Sequence, residues 1–265
     1  MRVLVATDFS KNANQALDYA LFLLGDRMDE LVLLTAVDIK AAGALFGLSL
    51  EDDLEIQSYE KLRKISSEIS PRFPNLKISE VVKSGTLANV LVHSAEMYEP
   101  DFTVMGTNGT TGLYERIVGS NTKEVMNVYD RPLIVVPLGY EKKKVETVLL
   151  ALDNPTNDQE RVKLVSDFCQ QINANLHMVS FVDEEGEMEP MPFDSKILGH
   201  VHFSQDQLVS SAESVEKQIL TFADKDMAEL ICVFPHHKRF LKGLFHHSVT
   251  ENVMALSKKP VMVIS

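Results

Sequence analysis

The residues whose types and spacing could do chemistry lie between Val104 and Thr122. Glycines stand at Gly106, Gly109 and Gly119, the last followed by Ser120, in the pattern G-x2-G-x9-G-S. Without a Cβ, the chain lets its backbone N–H groups approach a phosphate closely. The spacing therefore points to nucleotide binding, although glycines also serve tight turns in surface loops. The setting favours the first reading. The apolar run Phe102-Thr103-Val104-Met105 precedes the motif, and a helix-like segment from about Asn121 to Val128 follows it. Phosphates would then rest at the positive end of a helix, with the Ser120 hydroxyl and adjacent N–H groups as donors. Asp8, at the end of the first apolar run, suits a ribose hydroxyl and equally suits a helix cap.

Other candidates carry less. His200, His202, His236-His237 and His246-His247 offer imidazoles for a metal. They lack a recognised zinc spacing, and Lys238, Arg239 and Lys242 oppose a cation, so no metal site is expected. Phosphoryl transfer needs a placed metal ion and a base or charge-stabilising group. Between Thr110 and Val118 only Glu115 and Arg116 are offered. Neither a P-loop lysine nor a G-x-S-x-G elbow is present. Binding rather than catalysis is the expectation, with a slow ATPase or another adenine-nucleotide enzyme as the alternative.

The elements that must position these residues follow from apolar patterning. Val3 to Ala6, Leu31 to Val37, Ile78 to Val82, Phe102 to Met105 and Leu133 to Val136 read as strands. Between them, Ala13, Ala16, Leu17, Ala20, Leu21 and Leu24 recur at helical spacing behind a cap at Ser10, and further helices are predicted over Leu54 to Ile69 and Thr86 to Tyr98. Short apolar strands alternating with amphipathic helices imply a parallel, doubly wound sheet covered on both faces. Ligands of such sheets sit beyond the carboxyl ends of the strands.

The pattern is written twice. Val3-Leu4-Val5-Ala6-Thr7-Asp8 is matched by Val148-Leu149-Leu150-Ala151-Leu152-Asp153, and Arg131 to Val136 by Lys259 to Ile264. In the second half, strands are predicted over Val148 to Leu152, Leu176 to Val182, Leu230 to Phe234 and Val261 to Ile264. Helices are predicted around Val165, Phe168, Cys169 and Ile172, and near Gln207 to Phe222. This is a tandem duplication with domains over 1–140 and 145–265, joined by the charged stretch Gly139 to Lys144. Extra segments follow the second strand of each half, Ile39 to Leu50 and Asp183 to Ser204. The closing strands could pair antiparallel, giving an intrachain pseudo-dimer, and a homodimer of chains is a further possibility.

Composition excludes several classes. The chain has 265 residues, 45 % hydrophobic and 24 % charged, an ordinary globular make-up long enough for two cores. A net charge of −12 with no basic stripe argues against nucleic acid. No apolar run approaches the ~18 residues of a membrane span. Met1-Arg2 leads straight into a strand rather than a secretory signal, and Cys169 and Cys232 read as buried small hydrophobes in a reducing compartment. A cytoplasmic protein is expected.

With these residues in place, the chain resembles the universal stress protein superfamily, in its tandem two-domain form, over essentially its whole length. The nucleotide-binding branch of that family carries G-x2-G-x9-G-[ST], which Gly106, Gly109, Gly119 and Ser120 satisfy, with Met105 and Thr107 flanking the first glycine. The resemblance implies two Rossmann-like α/β domains and an adenine nucleotide in the first. ATP is the expected ligand, with ADP or AMP as alternatives and Mg²⁺ as the companion ion. Thr7-Asp8-Phe9-Ser10 looks like the acidic turn placed under adenosine. Val37 falls where the family contacts adenine through its backbone, or packs in the core, and Asn121 adds a phosphate-facing N–H. In the second half the matching positions are Phe234, His237 and His247, while Ser248 and Thr250 persist. One nucleotide per chain, within a stress-response or signalling module, is the resulting expectation.

Overall fold

The structure is a computed structural model and describes residues 1–38, 49–107, 119–152, 158–182, 193, 195–209, 213–235 and 247–265. The chain divides into two compact units, Met1–Tyr140 and Glu141–Ser265.

In the first unit, β1 (Arg2–Ala6), α1 (Lys11–Leu24), β2 (Glu30–Val37), α2 (Ser49–Ile69), β3 (Lys77–Ser84), α3 (Leu87–Tyr98), β4 (Phe102–Gly106), α4 (Ser120–Val128) and β5 (Leu133–Val136) alternate along the chain. The strands are parallel in the order β3-β2-β1-β4-β5. Residues 3–6 of β1 and 133–136 of β5 are buried throughout, as a sheet covered on both faces requires. Right-handed crossovers put α1 and α2 on one face and α3 and α4 on the other. The strand order reverses between β1 and β4, which opens a crevice at their carboxyl ends.

Local chemistry sets the helix limits. Ser10 caps α1, its hydroxyl accepting from Ala13 N–H at 3.1 Å, and the predicted stripe from Ala13 to Leu24 is buried. Thr86 caps α3 in the same way, and Glu99 ends that helix in the left-handed region at φ 44°. Helix α4 is tied at its far end by Tyr129, whose hydroxyl lies 2.5 Å from Thr103 Oγ1 on β4. Burial pushes the Tyr129 hydroxyl up from its ordinary value, with the Thr103 contact opposing.

At the amino ends of the strands, Glu30 is nearly buried between Arg2 (2.8 Å), Lys77 (2.9 Å) and the Ser79 hydroxyl (2.7 Å). Burial alone would raise its carboxyl, but Ser79, Lys77 and Arg2 together outweigh that and hold it at about 2.

The second unit contains β6 (Thr147–Leu152), α5 (Gln159–Ile172), β7 (Asn175–Val182), α6 (Ser195–Leu198), β8 (Phe203–Val209), α7 (Val215–Lys225), β9 (Leu230–Val233), α8 (His247–Leu256) and β10 (Val261–Val263). Its parallel order, β10-β9-β6-β7-β8, repeats the first. One expectation is overturned: Gln207 to Val209 belong to β8, and the helix begins only at Val215. This strand lies at the end of the unit's order, pairs with β7, and reads Phe-Ser-Gln-Asp-Gln-Leu-Val. Polar residues suit such a position, and they mask it as helix in the sequence. His177 on β7 fastens it, with Nε2 at 2.7 Å from Asp206 on β8 and Nδ1 at 2.6 Å from Asp226 beyond α7.

Burial pushes the Cys169 thiol up to about 12 and Cys232 well above its ordinary value, so neither is a thiolate. Of the extra segments, Ile39 to Leu48 lies outside the described residues, while α6 and the start of β8 fall within Asp183 to Ser204. Among the described residues, no helix is long and apolar enough to cross a membrane.

Candidate functional site

Neighbouring parallel strands β1 and β4 carry Thr7 and Asp8, and Met105, Gly106 and Thr107, at their carboxyl ends. The start of α4 adds Gly119, Ser120 and Asn121. Gly109 lies outside the described residues. At the β1 tip, Thr7 is buried, and its N–H donates to the Leu34 carbonyl at 2.8 Å, continuing the ladder one residue past the strand. The Thr7 hydroxyl accepts from Phe9 N–H and the Asp8 carboxylate from Ser10 N–H, both at 3.0 Å. These bonds hold Phe9 in the left-handed region at φ 64°. Asp8 itself is exposed, with its second oxygen open to a hydroxyl donor.

Thr107 organises the β4 tip. Its N–H donates to the Val136 carbonyl at 3.1 Å, while its carbonyl accepts from Gly119 N–H and from Thr122 Oγ1, both at 3.0 Å. The first turn of α4 is thereby pinned to the end of β4. Gly119 occupies the cap position with no side-chain bond, so the N–H groups of Ser120, Asn121 and Thr122 have no capping side chain. Ser120 and Asn121 are exposed. Gly119 has extended backbone angles, φ −58° and ψ 151°, which any residue adopts. Its glycine is therefore not required by conformation.

Three placements refine the sequence reading. Met105 is a buried strand residue and faces the core. The Val37 carbonyl already accepts from Gly85 N–H at 3.0 Å, prolonging the β2–β3 ladder. At Gly106, the space a Cβ would take is filled by Asn12: an added Cβ would lie 2.6 Å from both Cγ and Oδ1 of that carboxamide. Asn12 and Thr122 hold the site together without belonging to the glycine pattern. Both are buried polar residues on otherwise apolar helix stripes, Asn12 beside Ala13 and Ala16, Thr122 with Val125 and Met126.

The corresponding tip of the second unit is built from bulk and charge. Phe234 is buried after β9, and the Arg161 guanidinium lies 4.7 Å from its ring centre. Arg161 also pairs with Asp158, whose carboxylate is buried and has one oxygen without a partner. Thr250 is buried, and its hydroxyl has no partner. His237 lies outside the described residues. Among the described residues, no group of three or more His, Cys, Asp or Glu could hold a metal ion.

The model of the universal stress protein family matches residues 1–137 and 204–265. The chain belongs to the universal stress protein family. A universal stress protein of Methanocaldococcus jannaschii is 26 % identical over 151 residues, covering 51 % of this chain and 93 % of that one. The crystal structure of a universal stress protein from Archaeoglobus fulgidus covers 100 % of this chain and 96 % of its own, at 18 % identity and a TM-score of 0.72, a likeness of fold. Another universal stress protein of that organism, solved in complex with dAMP, aligns with 46 % of this chain and 100 % of its own, at 19 % identity and a TM-score of 0.34.

Proposed function

We propose that the first unit of this universal stress protein binds one adenine nucleotide, with ATP as the preferred ligand. Nucleotide occupancy would then set the conformation or partner choice of a stress-response module. The single observation that carries the reading is the start of α4, pinned to the β4 tip by Gly119, Thr107 and Thr122 yet lacking a capping side chain. Three amides of a first turn, aimed from a fixed helix, favour anions through their N–H groups and the helix dipole. In this reading Ser120 and Asn121 receive phosphate oxygens, Asp8 receives a ribose hydroxyl, and the glycine at 119 keeps the approach clear. Val37, expected to contact the base through its backbone, is instead proposed to neighbour it by packing, because its carbonyl already accepts from Gly85 N–H.

The second unit is read as having no such site, because Phe234 and Arg161 occupy the matching tip. The two units are proposed to associate as a pseudo-dimer. Calorimetric titration of the full chain with ATP, ADP and AMP, with and without Mg²⁺, tests the reading. Saturation at one ATP per chain is expected. Absence of binding by all three nucleotides, or two equivalent sites, would overturn it.

A further inference from the structure

We infer that Asn12 is a positioning residue of the cradle, and that Gly106 lacks a side chain to accommodate the Asn12 carboxamide rather than a ligand. The second half of this inference stands on packing alone; the first rests on the adenine-nucleotide reading above.

Asn12 is only 3 % exposed, in the first turn of α1. Its Nδ2 donates to the Val136 carbonyl at 3.1 Å, and its Oδ1 accepts from Thr107 Oγ1 at 3.3 Å. One amide thus joins α1 to the ends of β4 and β5. A Cβ on Gly106 would stand 2.6 Å from Cγ and Oδ1 and 3.0 Å from Nδ2. Contacts of that length cannot persist, so either the carboxamide or the β4 tip must move.

The carboxamide has little freedom to yield. Rotating it would break bonds at both ends and leave buried polar groups unpaired. Displacement therefore passes into Thr107, whose carbonyl holds Gly119 N–H and Thr122 Oγ1. Those two contacts orient the first turn of α4, where the phosphate-facing amides stand. In this way an amide remote from the helix start governs where its N–H groups point. The sequence motif alone suggests the opposite, that the first glycine makes room for the nucleotide.

A double-mutant cycle separates the two assignments. Wild type, Gly106→Ala, Asn12→Ala and the double variant are compared by urea midpoint and by ATP affinity at 25 °C. Gly106→Ala alone is expected to lower the midpoint and to weaken ATP at least tenfold. Asn12→Ala alone should weaken ATP roughly fivefold, and adding Gly106→Ala to it should change ATP affinity by less than about twofold. An equal loss of affinity from Gly106→Ala in both backgrounds would assign the space to the ligand and overturn the inference. Coupling in urea midpoints without coupling in ATP affinity would reduce Asn12 to a packing residue and overturn its positioning role. If the wild type binds no ATP, the nucleotide reading fails, while the midpoints still decide whether Gly106 serves Asn12. Should Gly106→Ala fail to fold, recovery of folding in the double variant supports the packing claim, and continued failure overturns it.

Discussion

In the first unit β4 ends in Gly106 with a carboxamide fitted against it, whereas the chain after β9 in the second unit places Phe234 beneath the Arg161 guanidinium. The scaffold is the same in both: five parallel strands, in corresponding order, with helices entering from their tips. What differs is the side chain at the tip: a carboxamide bonded to the strand ends in the first unit, an aromatic ring under a guanidinium in the second. Thr122 shows the contrast in one atom. Its hydroxyl holds the Thr107 carbonyl, while the hydroxyl of Thr250 is buried without a partner. A fold of this kind supplies the place for a ligand, and a few residues at one strand end decide whether the place is used.

The largest expected effect breaks the comparison at the helix start. Gly119→Val should weaken ATP binding by about 100-fold, close to 3 kcal/mol, because the backbone accepts valine there but the approach is blocked. His247→Val, at the matching position, should leave stoichiometry and affinity unchanged; calorimetry on both variants checks this.

Next comes acid. The Glu30 carboxyl is held at about 2, below its ordinary 4.5, so its contribution is present above pH 4.5 and is lost as pH falls from there toward 2. The linkage is at most about 3 kcal/mol, and less after screening, since Lys77 is largely exposed. Hydrogen exchange between pH 5 and pH 3 should show β1 to β3 losing protection, and Glu30→Gln should flatten that dependence.

Smaller effects follow at the threonines. Thr122→Val should cost roughly 1–2 kcal/mol by removing a buried hydrogen bond, whereas Thr250→Val should be neutral or stabilising by up to about 1 kcal/mol. Chemical denaturation of the two variants side by side reads the difference directly. Smallest of all, labelling of Cys169 and Cys232 by a thiol reagent should be negligible at pH 7.5 until urea unfolds the second unit, since burial pushes the Cys169 thiol to about 12 and the Cys232 thiol well above its ordinary value.

Much of this architecture is legible in the sequence because burial on both faces writes strands as unbroken apolar runs, as in Val3 to Ala6 and Leu133 to Val136. The cap at Ser10 was equally readable, its hydroxyl accepting the bond that its type suggests. Strand β8 was hidden because its position at the end of the order favours Ser, Gln and Asp, which carry no core signature. At the site, the glycine pattern indicates where backbone approaches closely, yet not which group fills the space. Asn12 stands outside the glycine pattern, and only three dimensions reveal its amide bridging Val136 and Thr107. A weak signal existed: Asn12 and Thr122 both fall on apolar stripes, where a polar residue must find bonds inside.

The polar spelling of β8 has a consequence for behaviour at high concentration. A terminal strand is a template on which foreign strands can grow, and growth is favoured when its residues are greasy and flat. Here the middle of that template carries Asp206, 54 % exposed and committed to His177. A stray segment docking alongside would meet a carboxylate and two glutamines, so the row that conceals this strand from a reader also guards it against fibre formation.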